Sequence, residues 1–417
     1  MLNKKSIQVV EHQTLRVGET IHDAVFTQRH YEALRAMAAQ HKARYFSAQD
    51  NCIRFTQYVG AVQAGDLTIE ILPKTDHPHT GDVQRILMDL LRACRLFSIA
   101  PESLAQLASR PGQLPDLYIA NFFDAVETLL REGLAKTYQA VPALRRALKG
   151  RLQLAKHLAH QRQHAGHFYT ESSEFNYDHP LNRLLRAALK ALQRAPLPPN
   201  LEGRRRELLR RFPDVPAIAP APEELPLGRN ALRYATATRM AQWIVQHTQP
   251  NVRAGELPAL AILFDMNRLF ETFIFQQLQA AAGALARVEW QVRRPFWEGR
   301  HLQPDIVLHL QGQRIVLDAK WKRLQRVSPQ MDDLRQMLAY NQYFQAARSV
   351  LVYPAMPGLT DLPPRPFKPT SGRQEPFYCE VRFVALVRDG RLNTHLGKDL
   401  LERLIAAAAE VENPSTL

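Results

Sequence analysis

The stretch QPDIVLHLQGQRIVLDAKWK, residues 303–322, decides how the C-terminal third of this chain folds. Two apolar runs with β-branched residues flank a polar segment around Gly312, a pattern that predicts a β-hairpin. Because side chains alternate across a strand, Asp318 and Lys320 project from one face of the second strand. A loop of two or four residues sets Asp305 opposite Asp318, whereas a loop of three moves one acid to the other face. The sequence leaves the loop length open.

Two aligned acids and a nearby lysine favour a metal-dependent hydrolytic site in this acidic hairpin, residues 303–322. Cross-strand neighbours lie about 5 Å apart, close enough for two carboxylates to share one divalent cation. Asp305, Asp318 and the main-chain carbonyl of Ala319 are oxygen ligands of the kind that Mg²⁺ takes, with Mn²⁺ as an alternative. Lys320 would stabilise negative charge that develops on a scissile phosphate. The competing interpretation is a surface Asp–Lys pair worth at most about 1 kcal/mol, which an apolar strand gives less reason to form.

A helix predicted upstream of the acidic hairpin carries a third acid. Apolar residues recur at helical spacing over 266–280, and Glu271 falls at the margin of that stripe. A carboxylate in such a place costs free energy unless it is paired or coordinated. Alone, Glu271 is an ordinary boundary residue. Beside the acidic hairpin it becomes a candidate metal ligand or water-positioning acid.

Composition favours a polyanionic partner. The 417 residues include 54 Lys+Arg against 40 Asp+Glu, a formal net charge of +14. Arginines on the solvent-exposed faces of helices would give the same excess of positive charge. An acidic metal site within a basic protein nevertheless makes nucleic acid the favoured partner. Three widely separated cysteines form no CxxC pair, and no run approaches the roughly 20 apolar residues that span a membrane. We therefore expect a soluble, cytoplasmic protein.

The pattern of periodicities predicts an α+β multidomain chain. Residues 1–80 contain short alternating runs and one helix, which predict a small β-rich N-terminal domain. Residues 81–250 are predicted to be mainly helical, with a helix over 117–138 and a connector rich in Pro and Arg near 195–228. For residues 251–417, the pattern predicts an α/β domain with the order strand, helix, acidic hairpin, helix, strand and strand. No GxxxxGK[ST] loop occurs, so an energy-driven step would need another subunit.

The spacing of the site residues resembles the PD-(D/E)xK nuclease pattern. The matching positions are Pro304 and Asp305, then Asp318, Ala319 and Lys320, with Glu271 on the preceding helix. On the next helix, Gln336 and Tyr340 resemble the QxxxY element of RecB-like members of that superfamily. Four residues apart, they share a helical face and could hold the hairpin or the DNA backbone, although an ordinary amphipathic helix remains an alternative. The resemblance implies a restriction-endonuclease-like domain over 251–417.

The wider resemblance is to McrC, the nuclease subunit of McrBC modification-dependent restriction systems. Short motifs in a fixed order carry it, at residues 69–74, 148–152, 174–183, 266–271 and 350–354. It implies an Mg²⁺-dependent endonuclease that cuts modified DNA, of the 5-methylcytosine type, in antiviral defence. It also implies an McrB-like AAA+ GTPase oligomer that reads the modified base and alone binds GTP.

The same resemblance assigns the N-terminal part, residues 1–80, to binding that GTPase and stimulating it. Two other functions remain open at this point. One is a stand-alone RecB-like nuclease, and the other is a non-catalytic adaptor that binds DNA or activates the GTPase. A GTPase encoded next to this chain would favour the first interpretation over the stand-alone nuclease.

Overall fold

A computed structural model describes residues 5–21, 24–74, 80–96, 114–161, 166–221, 225, 229–248, 257, 259–324, 326–368 and 376–412. Within these ranges the chain is a mixed α/β structure with several sheets. Its helices are α1 (Gln28–Gln40), α2 (Thr80–Ala93), α3 (Leu114–Glu132), α4 (Leu154–Gln161), α5 (Pro180–Ala191), α6 (Pro199–Arg211), α7 (Arg229–His247), α8 (Met266–Ala282), α9 (Met331–Phe344) and α10 (Leu396–Glu412). No helix among the described residues is long and apolar enough to cross a membrane.

Short strands separate these helices. They are β1 (Lys5–Val10), β2 (Thr14–Arg16), β3 (Thr20–Ile21), β4 (Ala24–Val25), β5 (Phe46–Gln49), β6 (Cys52–Phe55), β7 (Tyr58–Ala64), β8 (Leu67–Leu72), β9 (Thr137–Arg145), β10 (Arg151–Leu152), β11 (Phe168–Asn176), β12 (Ala259–Asp265), β13 (Ala286–Trp290), β14 (Arg294–Trp297), β15 (Arg300–Leu302), β16 (Ile306–Leu310), β17 (Gln313–Ala319), β18 (Arg348–Pro354), β19 (Leu362–Pro366), β20 (Tyr378–Val384), β21 (Val387–Arg388) and β22 (Arg391–Leu392).

A four-stranded sheet joins distant parts of the sequence in the order β1-β8-β7-β12. Strand β12, predicted as the first strand of the C-terminal domain, pairs antiparallel with β7 of the N-terminal region. Its alternate side chains enter two cores: Ile262 packs among the helices, and Leu263 packs with the N-terminal strands and α1. Gly60 of β7 is required at this junction, because a Cβ there would lie 2.1 Å from the carbonyl oxygen of Ile262.

The helix that carries Glu271 begins where β12 ends. Asp265 is both the last residue of β12 and the N-cap of α8, and its carboxylate accepts a hydrogen bond of 3.0 Å from the Asn267 N–H. Such a cap satisfies one of the four amide donors that a helix start leaves without a partner. The N-terminal sheet and α8 are therefore continuous, with no linker between them.

The middle region contains more β-structure than its periodicity predicts. Helices α3, α5, α6 and α7 pack together, but β9 and β11 form a nine-residue antiparallel ladder, with β10 at its edge. The helix predicted over 117–138 accordingly ends at Glu132. Helix α6 lies inside the predicted connector. Pro199 fits its first turn, and Arg204 anchors it through ion pairs of 2.7 and 2.9 Å to Asp124 and Glu127 of α3.

A six-stranded mixed sheet, ordered β13-β16-β17-β18-β20-β19, forms the C-terminal region. Strands β17, β18 and β20 are parallel, and helix α9 covers one face through Met337 and Phe344. Helices α8 and α10 cover the other face, where Leu317 and Val352 pack. The proline-rich segment 354–368 contains the edge strand β19, a position that tolerates proline because it needs fewer backbone donors.

Candidate active site

The acidic hairpin closes with a two-residue loop. Leu310 pairs with Gln313, and both loop residues between them have positive φ, as a type I′ turn requires. Counting back along this register, Asp305 lies one step beyond the last pair and opposite Asp318. Of the loop lengths that the sequence left open, the shortest is confirmed, and both acids therefore belong to the same end of the hairpin.

Asp305 is fixed by hydrogen bonds from two directions. Its carboxylate Oδ2 accepts a hydrogen bond of 2.8 Å from the Ala319 N–H, and its main-chain carbonyl accepts one of 3.0 Å from the Gln291 N–H. The first of these bonds crosses from the start of β16 to the end of β17. It therefore holds the Asp305 carboxylate beside the main chain that follows Asp318.

Lys320 joins the hairpin to helix α9. Its Nζ lies 2.6 Å from Oδ2 of Asp318 and 3.0 Å from Oε1 of Gln336. The Gln336 amide in turn donates to Oδ1 of Asp318 at 3.4 Å. Asp318 is only 3 % exposed, so this ammonium and amide cluster is largely removed from water. In such a place the charge-assisted contacts of Lys320 meet little competition from water or salt.

Tyr340 supports the segment that leads into β16. Its hydroxyl accepts a hydrogen bond of 2.8 Å from Nε2 of Gln336 and donates one of 3.1 Å to the carbonyl of Gln303. Gln336 and Tyr340 thus share one face of α9, as their spacing predicts, and together contact both ends of the acidic hairpin. Of the two roles considered from the sequence, these contacts serve to hold the hairpin.

Glu271 faces the same acids from α8. Burial, followed by the Asp318 and Asp265 carboxylates, raises the pKa of Glu271 to about 7. Burial also raises the pKa of Asp305, with further contributions from Asp318 and Glu271, and burial raises that of Asp318. For Lys320, burial lowers the pKa and Asp318 raises it, with a net increase. The acids thus crowd together around the Lys320 ammonium, and their mutual repulsion favours protonation or a bound cation.

The donor set fits a hard divalent cation. Within the described part of the chain, no three His, Cys, Asp or Glu side chains converge closely enough to form a metal cluster by themselves. A cation here would therefore rely on Asp305, Asp318 and the carbonyl of Ala319, with waters completing its shell and Glu271 nearby. Magnesium sites are commonly built in this way, from one or two carboxylates and several waters.

A sequence model of the family described as "McrBC 5-methylcytosine restriction system component" matches residues 53–354, well over half of the chain. The chain belongs to the McrBC family. The matched range runs from β6 to the end of β18 and so includes every candidate site residue. The predicted resemblance is thereby confirmed at the level of the family.

A solved structure agrees with this assignment in fold. One similar chain comes from the refined half-complex of the tetradecameric assembly of Thermococcus gammatolerans McrB AAA+ hexamers with bound McrC. It is 19% identical, with a TM-score of 0.61, over 96% of this chain and 100% of that chain. Another comes from the cryo-EM structure of the Thermococcus gammatolerans McrBC complex, at 20% identity and a TM-score of 0.48, over 67% of this chain and 88% of that one. A comparison with curated protein sequences gave no match.

One functional candidate of this McrBC-family chain escaped the sequence analysis. Asp333, only 6 % exposed, places Oδ1 3.8 Å from Nζ of Lys320 and Oδ2 3.5 Å from Nζ of Lys322. The Tyr353 hydroxyl donates to the same Oδ2 at 3.2 Å. In the sequence, Asp332 and Asp333 look like the acids that commonly start a helix, which conceals the role of the second.

A second unexpected contact links the site to the N-terminal sheet. Trp321, which follows Lys320, donates a hydrogen bond of 2.8 Å from Nε1 to Oε1 of Glu11, and the Lys74 N–H donates to the same oxygen at 2.9 Å. The Trp321 ring also packs on Phe270, the residue before Glu271, at 5.2 Å between centroids. Since the partners lie about 310 residues apart, no local sequence pattern could indicate this link.

Proposed function

We propose that this chain is the DNA-cutting subunit of a modification-dependent restriction complex, with a PD-(D/E)xK-type centre in the acidic hairpin. One observation carries the proposal. Asp305 lies in register with Asp318, and Nζ of Lys320 lies 2.6 Å from Oδ2 of Asp318, within the region that the family match spans. A phosphodiesterase needs this combination of aligned oxygen ligands and one retained cation.

Asp305, Asp318 and the carbonyl of Ala319 would hold Mg²⁺, or Mn²⁺ in its place, with Glu271 as an additional acid. When bound, such a cation polarises a scissile phosphate and lowers the pKa of a coordinated water. Lys320, oriented by Gln336 and Asp333, presents its ammonium where negative charge develops on the phosphate. Glu271, with its raised pKa, is suited to accept a proton from the attacking water near neutral pH.

The proposal includes a partner. The similar Thermococcus gammatolerans structure contains McrB AAA+ hexamers with bound McrC. We extend that arrangement to this chain: an McrB-like AAA+ GTPase oligomer binds GTP, reads modified DNA of the 5-methylcytosine type and delivers it. Residues 1–80 are proposed to contact this partner and stimulate its GTPase. The net charge of +14 supports direct contact with double-stranded DNA.

The test is DNA cleavage by the complete complex with GTP and Mg²⁺, on methylated and unmethylated duplexes. Asp305→Ala and Lys320→Ala should each reduce cleavage by at least about 100-fold and leave GTPase stimulation unchanged. Asp332→Ala is the matched control, since that carboxylate is 90 % exposed and should leave cleavage intact. Wild-type rates in both site variants would refute the assigned centre.

The same experiment separates the alternatives. Cleavage by the wild-type chain without partner or GTP would favour a stand-alone nuclease. GTPase stimulation without cleavage, by wild type and variants alike, would favour a non-catalytic adaptor.

A further inference from the structure

A small hairpin stands immediately before the acidic hairpin and exposes two aromatic side chains. We call β14 and β15, residues 294–302, the aromatic hairpin. Its two-residue tip contains Gly299 at φ 71°, and Phe296 and Trp297 are 46% and 67% exposed. Two adjacent exposed rings form an apolar patch, and an apolar patch rimmed by polar residues can mark an interaction site.

The register of the aromatic hairpin pairs a ring with a cation. Trp297 is opposite Arg300, so the two side chains project from one face about 5 Å apart. A shift of register between Pro295 and Trp297 leaves Phe296 as the extra residue of a bulge, a device that redirects side chains. The hairpin therefore presents an indole and a guanidinium side by side at its tip.

The base of the aromatic hairpin is anchored to helix α9. Arg294 donates from Nη1 to the carbonyl of Tyr343 at 2.9 Å, and its guanidinium lies 5.0 Å from the centre of the Phe344 ring. The Phe296 ring meets Tyr343 edge-on at 5.2 Å. Because α9 also carries Gln336 and Tyr340, the tip and the candidate site share one rigid support.

The charged residues around the tip of the aromatic hairpin indicate which class of ligand it would bind. Residues 293–301 contain three arginines and one histidine but only one acid, Glu298. Arg293 places Nη2 3.5 Å from Nδ1 of His301, a contact that leaves the positive charge of the guanidinium intact. Flat aromatic surface among arginines is suited to nucleic acid, where rings stack on bases and guanidinium groups bind phosphates.

The tip of the aromatic hairpin lies close in sequence to the proposed cleavage site. Asp305 lies five positions after Arg300 in the sequence, which limits the distance between them to about 18 Å at full extension. With a rise of about 3.4 Å per nucleotide, this corresponds to about five base pairs of B-form DNA. A duplex with a phosphate at Asp305 would therefore pass within reach of Trp297.

We propose that the aromatic hairpin is a DNA-binding wedge: Trp297 inserts against bases in the minor groove of the duplex, and Arg300 binds an adjacent phosphate. The inference rests on the proposed function, since it takes the DNA that is cut as the ligand. Apolar wedges of this kind unstack a base step and bend the duplex, which would fix the distance between tip and scissile phosphate. The contact reads DNA shape and needs no particular base.

The test measures binding of the full chain to a fluorescein-labelled, methylated duplex by anisotropy, with EDTA present so that no cleavage occurs. Trp297→Ala should weaken binding by about 5- to 100-fold, and Trp297→Phe should recover most of it, since stacking on a base is worth that much. Arg300→Ala should reduce the slope of log K against log salt by about 0.9. Leu285→Ala and Arg287→Ala, which alter exposed residues outside this hairpin, should leave affinity and slope unchanged.

Two outcomes overturn the wedge. One is wild-type affinity and salt slope in both Trp297→Ala and Arg300→Ala. The other is normal DNA binding with lost GTPase stimulation, which would assign the hairpin to the partner. If either occurs while cleavage still depends on Asp305, the proposed function stands and the wedge alone fails. Conversely, weakened binding in the hairpin variants together with normal cleavage by Asp305→Ala would retain the wedge and reject the assigned centre.

Discussion

Replacing Glu271 by glutamine should stabilise the metal-free protein at alkaline pH and not at acid pH. The folded-state pKa of Glu271 is raised to about 7 from 4.5, so the native state binds this proton more tightly than the unfolded state. Stability from this group is therefore fully present below pH 4.5 and is lost as pH rises to 7. The side chain introduced by Glu271→Gln is always neutral, so the variant should lack that loss.

The magnitude follows from the difference between the two pKa values. At 1.36 kcal/mol per pKa unit, a rise from 4.5 to about 7 corresponds to roughly 3 kcal/mol, and partial exposure of Glu271 reduces the expected difference to about 1–2 kcal/mol. A domain of about 150–250 residues gains about 2–4 °C in melting temperature per kcal/mol. The variant should therefore melt about 2–8 °C higher than wild type at pH 8 and within about 1 °C of it at pH 4.5.

The assay is thermal unfolding of the full chain in EDTA at pH 4.5 and pH 8, followed by the same series with Mg²⁺. Magnesium should raise the wild-type melting temperature at pH 8 and reduce the advantage of Glu271→Gln, because a bound cation stabilises the ionised acids. Asp332→Asn serves as the matched control and should show no pH-dependent difference. A difference between Glu271→Gln and wild type that is the same at both pH values would refute the electrostatic reasoning.

Three further outcomes are expected. Tyr340→Phe removes the hydroxyl that accepts a hydrogen bond from Gln336 and donates one to the carbonyl of Gln303. The rate of cleavage at saturating DNA should therefore fall about 5- to 30-fold, and DNA affinity in the anisotropy assay should not change. Trp321→Phe keeps the packing on α8 but leaves Glu11 with one hydrogen-bond donor fewer. The loss of about 1–2 kcal/mol in folding free energy should lower the melting temperature of the full chain by a few degrees. An unchanged melting temperature would show that the link between Trp321 and Glu11 is not maintained in solution. Gly60→Ala should prevent soluble expression, since its Cβ would overlap a carbonyl of β12, whereas Gly203→Ala, in an open position of α6, should stabilise the protein by up to about 1 kcal/mol in chemical denaturation.

Local patterns in the sequence identified the acidic hairpin because turn chemistry and period-two alternation are local properties. Once a two-residue loop sets the register, the relation of Asp305 to Asp318 follows by counting. Gln336 and Tyr340 were found through helical spacing and family resemblance. Their particular contacts, a bond to Lys320 and one to the carbonyl of Gln303, depend on the distance between α9 and the hairpin.

Other features depend on pairing between distant residues, which periodicity does not encode. Because β12 is buried on both faces, its sequence is a continuous apolar run that does not specify a partner strand. The pairing of β12 with β7 could therefore not be predicted. The fully buried side chains of the β9–β11 ladder, Thr170 and Ser172 of β11, are polar, so neither strand has the apolar buried stripe that would distinguish it from its helical surroundings. Glu11 was overlooked because its importance arises from a contact with Trp321, far along the chain.

The continuity of β12 with α8 has a consequence for exchanging parts between relatives. A chimaera that takes its cutting region from this chain beginning at Met266 would separate α8 from Asp265, its cap, and would leave β7 without the neighbour that covers it. A graft that begins at Ala259 keeps the cap but presents an apolar strand with unpaired backbone groups, a known cause of aggregation. Recombination within this gene should therefore be tolerated only where a donor supplies β7 and β12 together, so that the two strands are inherited as one unit.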